Sequence, residues 1–396
     1  MAPTDQKSQK DLSSLKITVA AVSTLLAQLE AAVKTPPTST HDDPKSPSDV
    51  SALSLSHDAA KLIRAHSTKL SLLIINAPFT PSAISTVLRE LASGPLPALA
   101  TAVEICDSAA YTKVMQSELV WRTQKVFAEF GTLLREVPLD GKVLNKDQKN
   151  GTGDAVGKGS LASTGVVWQA CDNVMELKKL DIAGLVVKKA EQYRDTLKDA
   201  IEELQEWGEE ESDEEDGDEE NEDAHEADDE EDGKFPNAIQ DEIDALFGSS
   251  LHIPTDDPNR IRPRLESSIR RLKLIVLMYN AVIKRRFKPI SALFLHHLQT
   301  NSRPDELEKS VLLETNKGAS PAQRLDAVLE VLKKIPDIAD ELANAFYNLD
   351  AKEIDRRMDE CFFTGVAATE LLATDWSDKD DEFTVWVSNP LSKTGI

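Results

Sequence analysis

Cysteine is scarce in this sequence and never paired in spacing. Cys106, Cys171 and Cys361 stand far apart, with no C-x-x-C and no histidines at metal-ligand intervals. An odd, sparse set argues against a disulfide framework or a zinc module and fits a reducing compartment. Aromatic residues are only 5% of the chain and glycines number 16 among 396 residues. Period-two alternation at strand length with hairpin turns is also missing; the best exception, Phe383 to Val387, is short and lies in the tail. No repeat of solenoid length is visible. The polar start MAPTDQKSQKD lacks the apolar core of a secretory signal. The apolar stretches read as broken by charge or proline before 18 residues, so no membrane span is expected.

Catalytic patterns are missing as well. There is no GxSxG, HExxH or EF-hand, so no catalytic, cofactor-binding or metal-binding residue is assigned and no enzyme activity is expected. GTGDAVGKGS (151–160) imitates a phosphate-binding loop but fails on spacing. Gly151 leaves five residues and Gly153 leaves three before Gly157-Lys158, where the loop needs four. Gly159 stands where a hydroxyl should follow the lysine. His296-His297 are adjacent, so on a helix they point about 100° apart and do not converge on one ion.

What is present favours helices: leucine, alanine, glutamate and lysine lose little rotamer freedom there. Leu12, Leu15, Val19, Val22, Leu26, Leu29 and Val33 recur at steps of three and four, one helical stripe closed by Thr35-Pro36-Pro37. After a polar linker at 35–48, a second helix runs to about Asn76. Its apolar end Leu72 to Ile75 reads as a buried helix end before a Pro-bounded turn, not as a strand. Thr80-Pro81 forms a hydroxyl N-cap with proline at the first helical position. Short helices to about Ser93 and Asp107 follow, then a longer one over 110–136 carrying Val114, Leu119, Trp121, Val126, Phe127, Phe130 and Leu134. Residues 137–160 read as a Gly-rich flexible loop. Helices over 161–177 and 180–207 follow. In the second half a helix from Arg264 to Lys288 ends at Pro289. Further helices are expected at 290–300, 303–316, 321–334, 336–348 and 351–374, with Ser320-Pro321 repeating the cap and Asp350 as an N-cap.

The expected fold is therefore all-α: up-and-down helical bundles in two regions separated by a disordered acidic segment. The boundaries are an N-terminal bundle domain 1–208, an acidic linker 209–234, a C-terminal helical domain 235–376 and a tail 377–396. Residues 209–232 hold 18 Asp or Glu and no Lys or Arg, against a formal charge of −24 for the whole chain. Like charges at that density repel, with almost nothing apolar to offset ordering. The run is either a solvated linker or a polyanion that attracts basic proteins such as histones, with Glu209, Asp213, Glu215, Asp218, Asp229 and Glu231 as contacts. Ser212, followed by Asp213, Glu214 and Glu215, suits an acid-directed kinase. Between Arg260 and Lys288 ten Lys or Arg face only Glu266. There Lys284, Arg285, Arg286 and Lys288 form a nuclear-localisation patch, a dock for the acidic run, or a solvated face. Without aromatic interleaving, direct nucleic-acid binding is not expected.

VVWQACDNVMELKKLDIAGLVVKKAEQYRDTLKDAIEEL (166–204) resembles the cyclin-D-binding protein (GCIP) family. The resemblance rests on Val167-Trp168-Gln169-Ala170-Cys171, a polar bend, and a long helix leading into acid; KLSLLIINAPFTP (69–81) resembles a helix end and turn of that family. It implies an all-α regulator, present in nucleus and cytoplasm, that binds D-type cyclins and helix-loop-helix factors and restrains the cell cycle without catalytic residues. Trp168 and Cys171 read as core rather than contact residues. An acidic chaperone for histones or other basic proteins is the alternative, and a vinculin- or catenin-like helical adaptor the third.

Overall fold

The computed structural model describes residues 3–34, 50–151, 159–209, 253–290 except 255, and 321–388 except 377–378. The described residues are helical, and among them there is no strand. The expected helices at 290–300 and 303–316 and the phosphate-loop mimic from residue 152 to 158 lie outside the described residues, as do His296 and His297. Two compact units are present: Met1–Val186 with Lys288–Asp326, and Val187–Phe287 with Ala327–Ile396. The division by contacts falls after Val186.

In the first unit the elements are α1 (Pro3–Lys34), α2 (Ala52–Ile75), α3 (Pro81–Ser93), α4 (Pro95–Ile105), α5 (Ser108–Tyr111), α6 (Lys113–Arg135), α7 (Lys146–Asn150) and the start of α8 (Ser160–Glu209). The shortest of the main helices is the innermost. α4 touches α1, α2, α3 and α6 and buries Leu96, Leu99, Ala102 and Val103, as its nearly charge-free sequence PLPALATAVEI demands. Against it α1 lays the predicted stripe, with Leu15, Val22, Leu26 and Val33 buried, and α6 contributes Phe127, Phe130 and Leu133. The apolar end of α2 is helical, as expected.

Several local expectations are corrected. Thr80 does not cap α3 with its hydroxyl, which donates to the Pro78 carbonyl at 3.1 Å instead. The helix expected from 110 starts at Lys113, because Thr112 takes φ 78° and its Oγ1 accepts the Met115 N–H. The loop after α6 is built, not open, up to Gly151: Leu144 N–H donates to the Ile74 carbonyl, and Asn145 and Gln148 close a capping box on α7. By length and composition the stretch Gln9–Lys34 of α1 is apolar enough to cross a bilayer; only Glu30 is charged between Ile17 and Ala32. A core helix meets the same test, and the inner stripe of α1 is committed to the unit.

The second unit holds α8 from Val187, α9 (Ile261–Val282) with a π-helical turn (Ile283–Phe287), α10 (Pro321–Tyr347) from Ala327, α11 (Ala351–Leu371) and α12 (Glu382–Ser388). The two helices predicted at 161–177 and 180–207 are α8, bent at Asp181 (φ 55°, ψ −175°). α9 packs on α11, where Gly365 leaves room for Ile275 and Met278, each about 3.7 Å from where a Cβ would stand. Arg264 pairs with Asp355 at 2.9 Å and Arg271 with Asp359 at 3.1 Å. Asp350 caps α11 through the Lys352 and Glu353 N–H groups, as predicted.

Pro336 was expected to divide two helices, yet α10 runs straight through it. A helical proline removes the N–H that would bond the carbonyl four residues back, here Leu332. That carbonyl instead accepts the buried Tyr279 hydroxyl of α9 at 2.6 Å. A hydroxyl 53 positions distant thus supplies the missing donor. The tyrosine is fixed as a donor, since burial pushes its ionisation far above the ordinary range. Tyr279→Phe is expected to lower stability by about 1–3 kcal/mol, the cost of a buried unsatisfied carbonyl. In a Pro336→Ala background, where residue 336 regains its N–H, the loss should shrink by at least about half. Urea unfolding of the four proteins measures this; an undiminished loss would show that Tyr279 does not serve Leu332.

Candidate interaction surfaces

The described residues contain no group of His, Cys, Asp and Glu able to hold a metal ion. A half-open depression of about 260 Å³, lined by Arg135, Val137, Leu139, Lys142 and Gln148, is smaller than ordinary ligand sites. All three cysteines are buried, and burial pushes each thiol up to about 12, so none is a nucleophile near neutral pH. Among the described residues, the surfaces of the helices are what can meet a partner.

The block that carries the family resemblance is a joint. Trp168 of α8 is half-buried and donates its Nε1–H to Thr68 Oγ1 of α2 at 3.1 Å. The Arg64 guanidinium lies 5.3 Å from the indole centroid and bonds Asp172 at 3.1 Å. Cys171 is fully buried beside it. One helix face away, Arg122 of α6 is nearly buried and ties α6 to α8 through Glu176 at 3.0 Å and the Asn173 carbonyl, while Glu118 holds its Nε. These side chains set how α8 lies on its neighbours. Their partners are internal.

Trp121, one of the apolar residues carried by α6, is 60% exposed. Its neighbour Arg122 takes the inward position, because two successive residues of a helix project about 100° apart. An exposed tryptophan with two χ angles can contribute much contact area at small entropic cost. In the second unit Leu274, Leu277 and Phe363 are exposed likewise.

The predicted basic cluster is divided by the fold. Lys284, Arg285 and Lys288 are exposed, and Arg285 pairs with Glu382 at 2.9 Å. Arg286 is only 1% exposed, which corrects its place in the patch: a buried guanidinium cannot be read by an import receptor. Its Nη groups bond both Asp381 oxygens at 2.6 and 2.8 Å, and its Nε bonds the Leu372 carbonyl at 2.8 Å. Phe383 covers it at 4.4 Å, and Trp376 Nε1–H donates to its backbone carbonyl. The residues expected to form a plain tail thus include a helix, α12, held by one arginine. Among the acidic candidates Glu209 is the exposed last residue of α8; Asp213, Glu215, Asp218, Asp229, Glu231 and Ser212 lie outside the described residues.

Residues 57–210 match the family model described as Grap2 and cyclin-D-interacting, N-terminal. Both blocks that carried the resemblance fall inside that span, so the resemblance to the cyclin-D-binding family is shown there. An uncharacterised protein of Schizosaccharomyces pombe is 28% identical over 160 residues, 40% of this chain and 45% of that protein. The match therefore spans less than half the length of that curated relative.

The Asp381 carboxyl is held well below its ordinary 3.8, first by the hydrogen bond from Arg286. A carboxyl depressed by folding contributes stability above its unfolded value and loses it as the pH falls. Asp381→Asn is therefore expected to release α12 to limited proteolysis at neutral pH. The difference from the parent chain should close as pH falls below about 4. Equal cleavage of the two proteins at pH 7 would show that the pair does not hold the helix.

Proposed function

We propose that the chain is a non-enzymatic protein-binding regulator of the cyclin-D-binding type, which sequesters cell-cycle or helix-loop-helix transcription regulators and restrains cell-cycle progression in nucleus and cytoplasm. The observation that carries this reading is the match of residues 57–210 to a cyclin-D-interacting family on a helical unit that presents Trp121 outward. Helical regulators are bound by laying an amphipathic face into apolar contact, and a rigid aromatic is the usual anchor of such a contact. Lys284, Arg285 and Lys288 remain for nuclear import without Arg286.

The acidic run supports a second reading, a chaperone of basic proteins, in which 18 carboxylates supply the attraction. The two readings make opposite demands on salt and on apolar contact. Isothermal titration against a purified D-type cyclin, a helix-loop-helix domain and core histones separates them. On the regulator reading, Trp121→Ser weakens cyclin or helix-loop-helix binding at least about tenfold, and removal of residues 209–232 changes it little. Histone binding lost with the run, steeply weakened between about 0.15 and 0.5 M salt, and indifferent to Trp121 would establish the chaperone in its place.

A further inference from the structure

α9 has two faces of unlike charge commitment. On the inner one Arg264 and Arg271 are paired with Asp355 and Asp359. On the outer one Arg270, Lys273, Leu274, Leu277 and Lys284 are exposed, at helical spacings of three, four and seven that place them on a single side. Arg270, Lys273 and Lys284 make no ion pair among the described residues, and Glu266 is the one acid on α9. A helix side that alternates unpaired cations with two exposed leucines fits an acidic segment that carries apolar residues of its own.

We propose that this side of α9 is occupied by the chain's own segment between Glu209 and Phe247. Its acidic run faces Arg270, Lys273 and Lys284, and the stretch FPNAIQDEIDALF (235–247) covers Leu274 and Leu277. The sequence supplies both halves of the match. Phe235, Ile239, Ile243 and Leu246 recur at steps of four and three, interleaved with Asp241, Glu242 and Asp244. The anchors supply the proximity. Gly208 abuts Leu265 so closely that a Cβ would collide with it, and Arg262 Nη1 donates to the Gly208 carbonyl. On the other side Ile253 is buried in the same unit. Glu209 therefore ends α8 beside the start of α9, and Ile253 stands eight positions before Ile261 in the same unit. By flexible-chain statistics the middle of a 43-residue span reaches roughly 20 Å from its anchors, and like charges extend that reach. At 1.5 Å per residue, Arg270 and Lys273 lie about 15–20 Å along α9, inside that radius, while Lys284 lies near the stretched limit. No diffusing polyanion has that advantage, because a tether of this length corresponds to a local concentration of the order of millimolar.

Zero-length carbodiimide coupling of the full chain, at low micromolar concentration and with equal parts of nitrogen-15 and ordinary protein, tests this by joining lysines to the carboxylates they touch. The expected products link Lys273 and Lys284 to carboxylates between Glu209 and Asp244, at least about fivefold above the exposed controls Lys69 and Lys113. They should stay within one isotope, and fall at least about threefold in 0.5 M salt. The surface variant Leu274→Ser with Leu277→Ser should reduce them about threefold again. Coupling spread evenly over all exposed lysines would overturn the proposal. So would isotopically mixed products, which place a second copy's segment on α9, or yields indifferent to both leucines.

Discussion

The second unit depends on one hydrogen bond, from the Tyr279 hydroxyl to the Leu332 carbonyl. Pro336 would otherwise leave that carbonyl bare in a buried place, and a helix does not continue through such a position without compensation. Because α10 continues, Phe346 and Tyr347 at its end reach Trp207 of α8, with ring centroids 6.1 and 5.5 Å away. Tyr347 then donates to Glu203 at 2.6 Å. That contact fixes the last turns of α8, and with them the point from which the acidic run leaves. A donor on α9 therefore bears on where α8 ends, at Glu209, 70 residues earlier in sequence.

Polar side chains recur at such joints because the sequence has so few aromatics to fill them. Arg122 and Arg286 are long, almost fully buried, and satisfied by carboxylates and carbonyls together. A buried guanidinium is costly unless every donor is met, so each arginine tolerates one arrangement of its neighbours and rejects shifted ones. The packing specificity lies more in hydrogen-bond geometry than in large apolar volume.

That distribution explains how much of the fold was legible. The stripe of α1, the helical end of α2, the bend before α8's second half and the Asp350 cap are local patterns, set by residues within a few turns of one another. Pro336 misled because its remedy lies on another helix, and Arg286 because its partner Asp381 follows 95 residues later. Leu204 and Trp207 are buried with the second unit immediately before the acids begin, so the core runs right up to the change of composition. Of the candidate surface, the exposed cations and Glu209 were readable from sequence, and only burial could remove Arg286.

An acidic run and an apolar anchor would discriminate partners very differently. A dense row of carboxylates attracts any basic protein over about a Debye length, roughly 8 Å at physiological salt, with little regard for shape. Specificity then has to come from something that makes the wrong partner pay. A tethered cationic side of α9 does so: a weakly basic protein must displace an intramolecular contact held at roughly millimolar effective concentration before it gains anything. A partner that also engages Trp121 recovers the loss through contacts the tether cannot offer. On that arrangement the acids set a threshold, and the helical surface chooses among the partners that cross it.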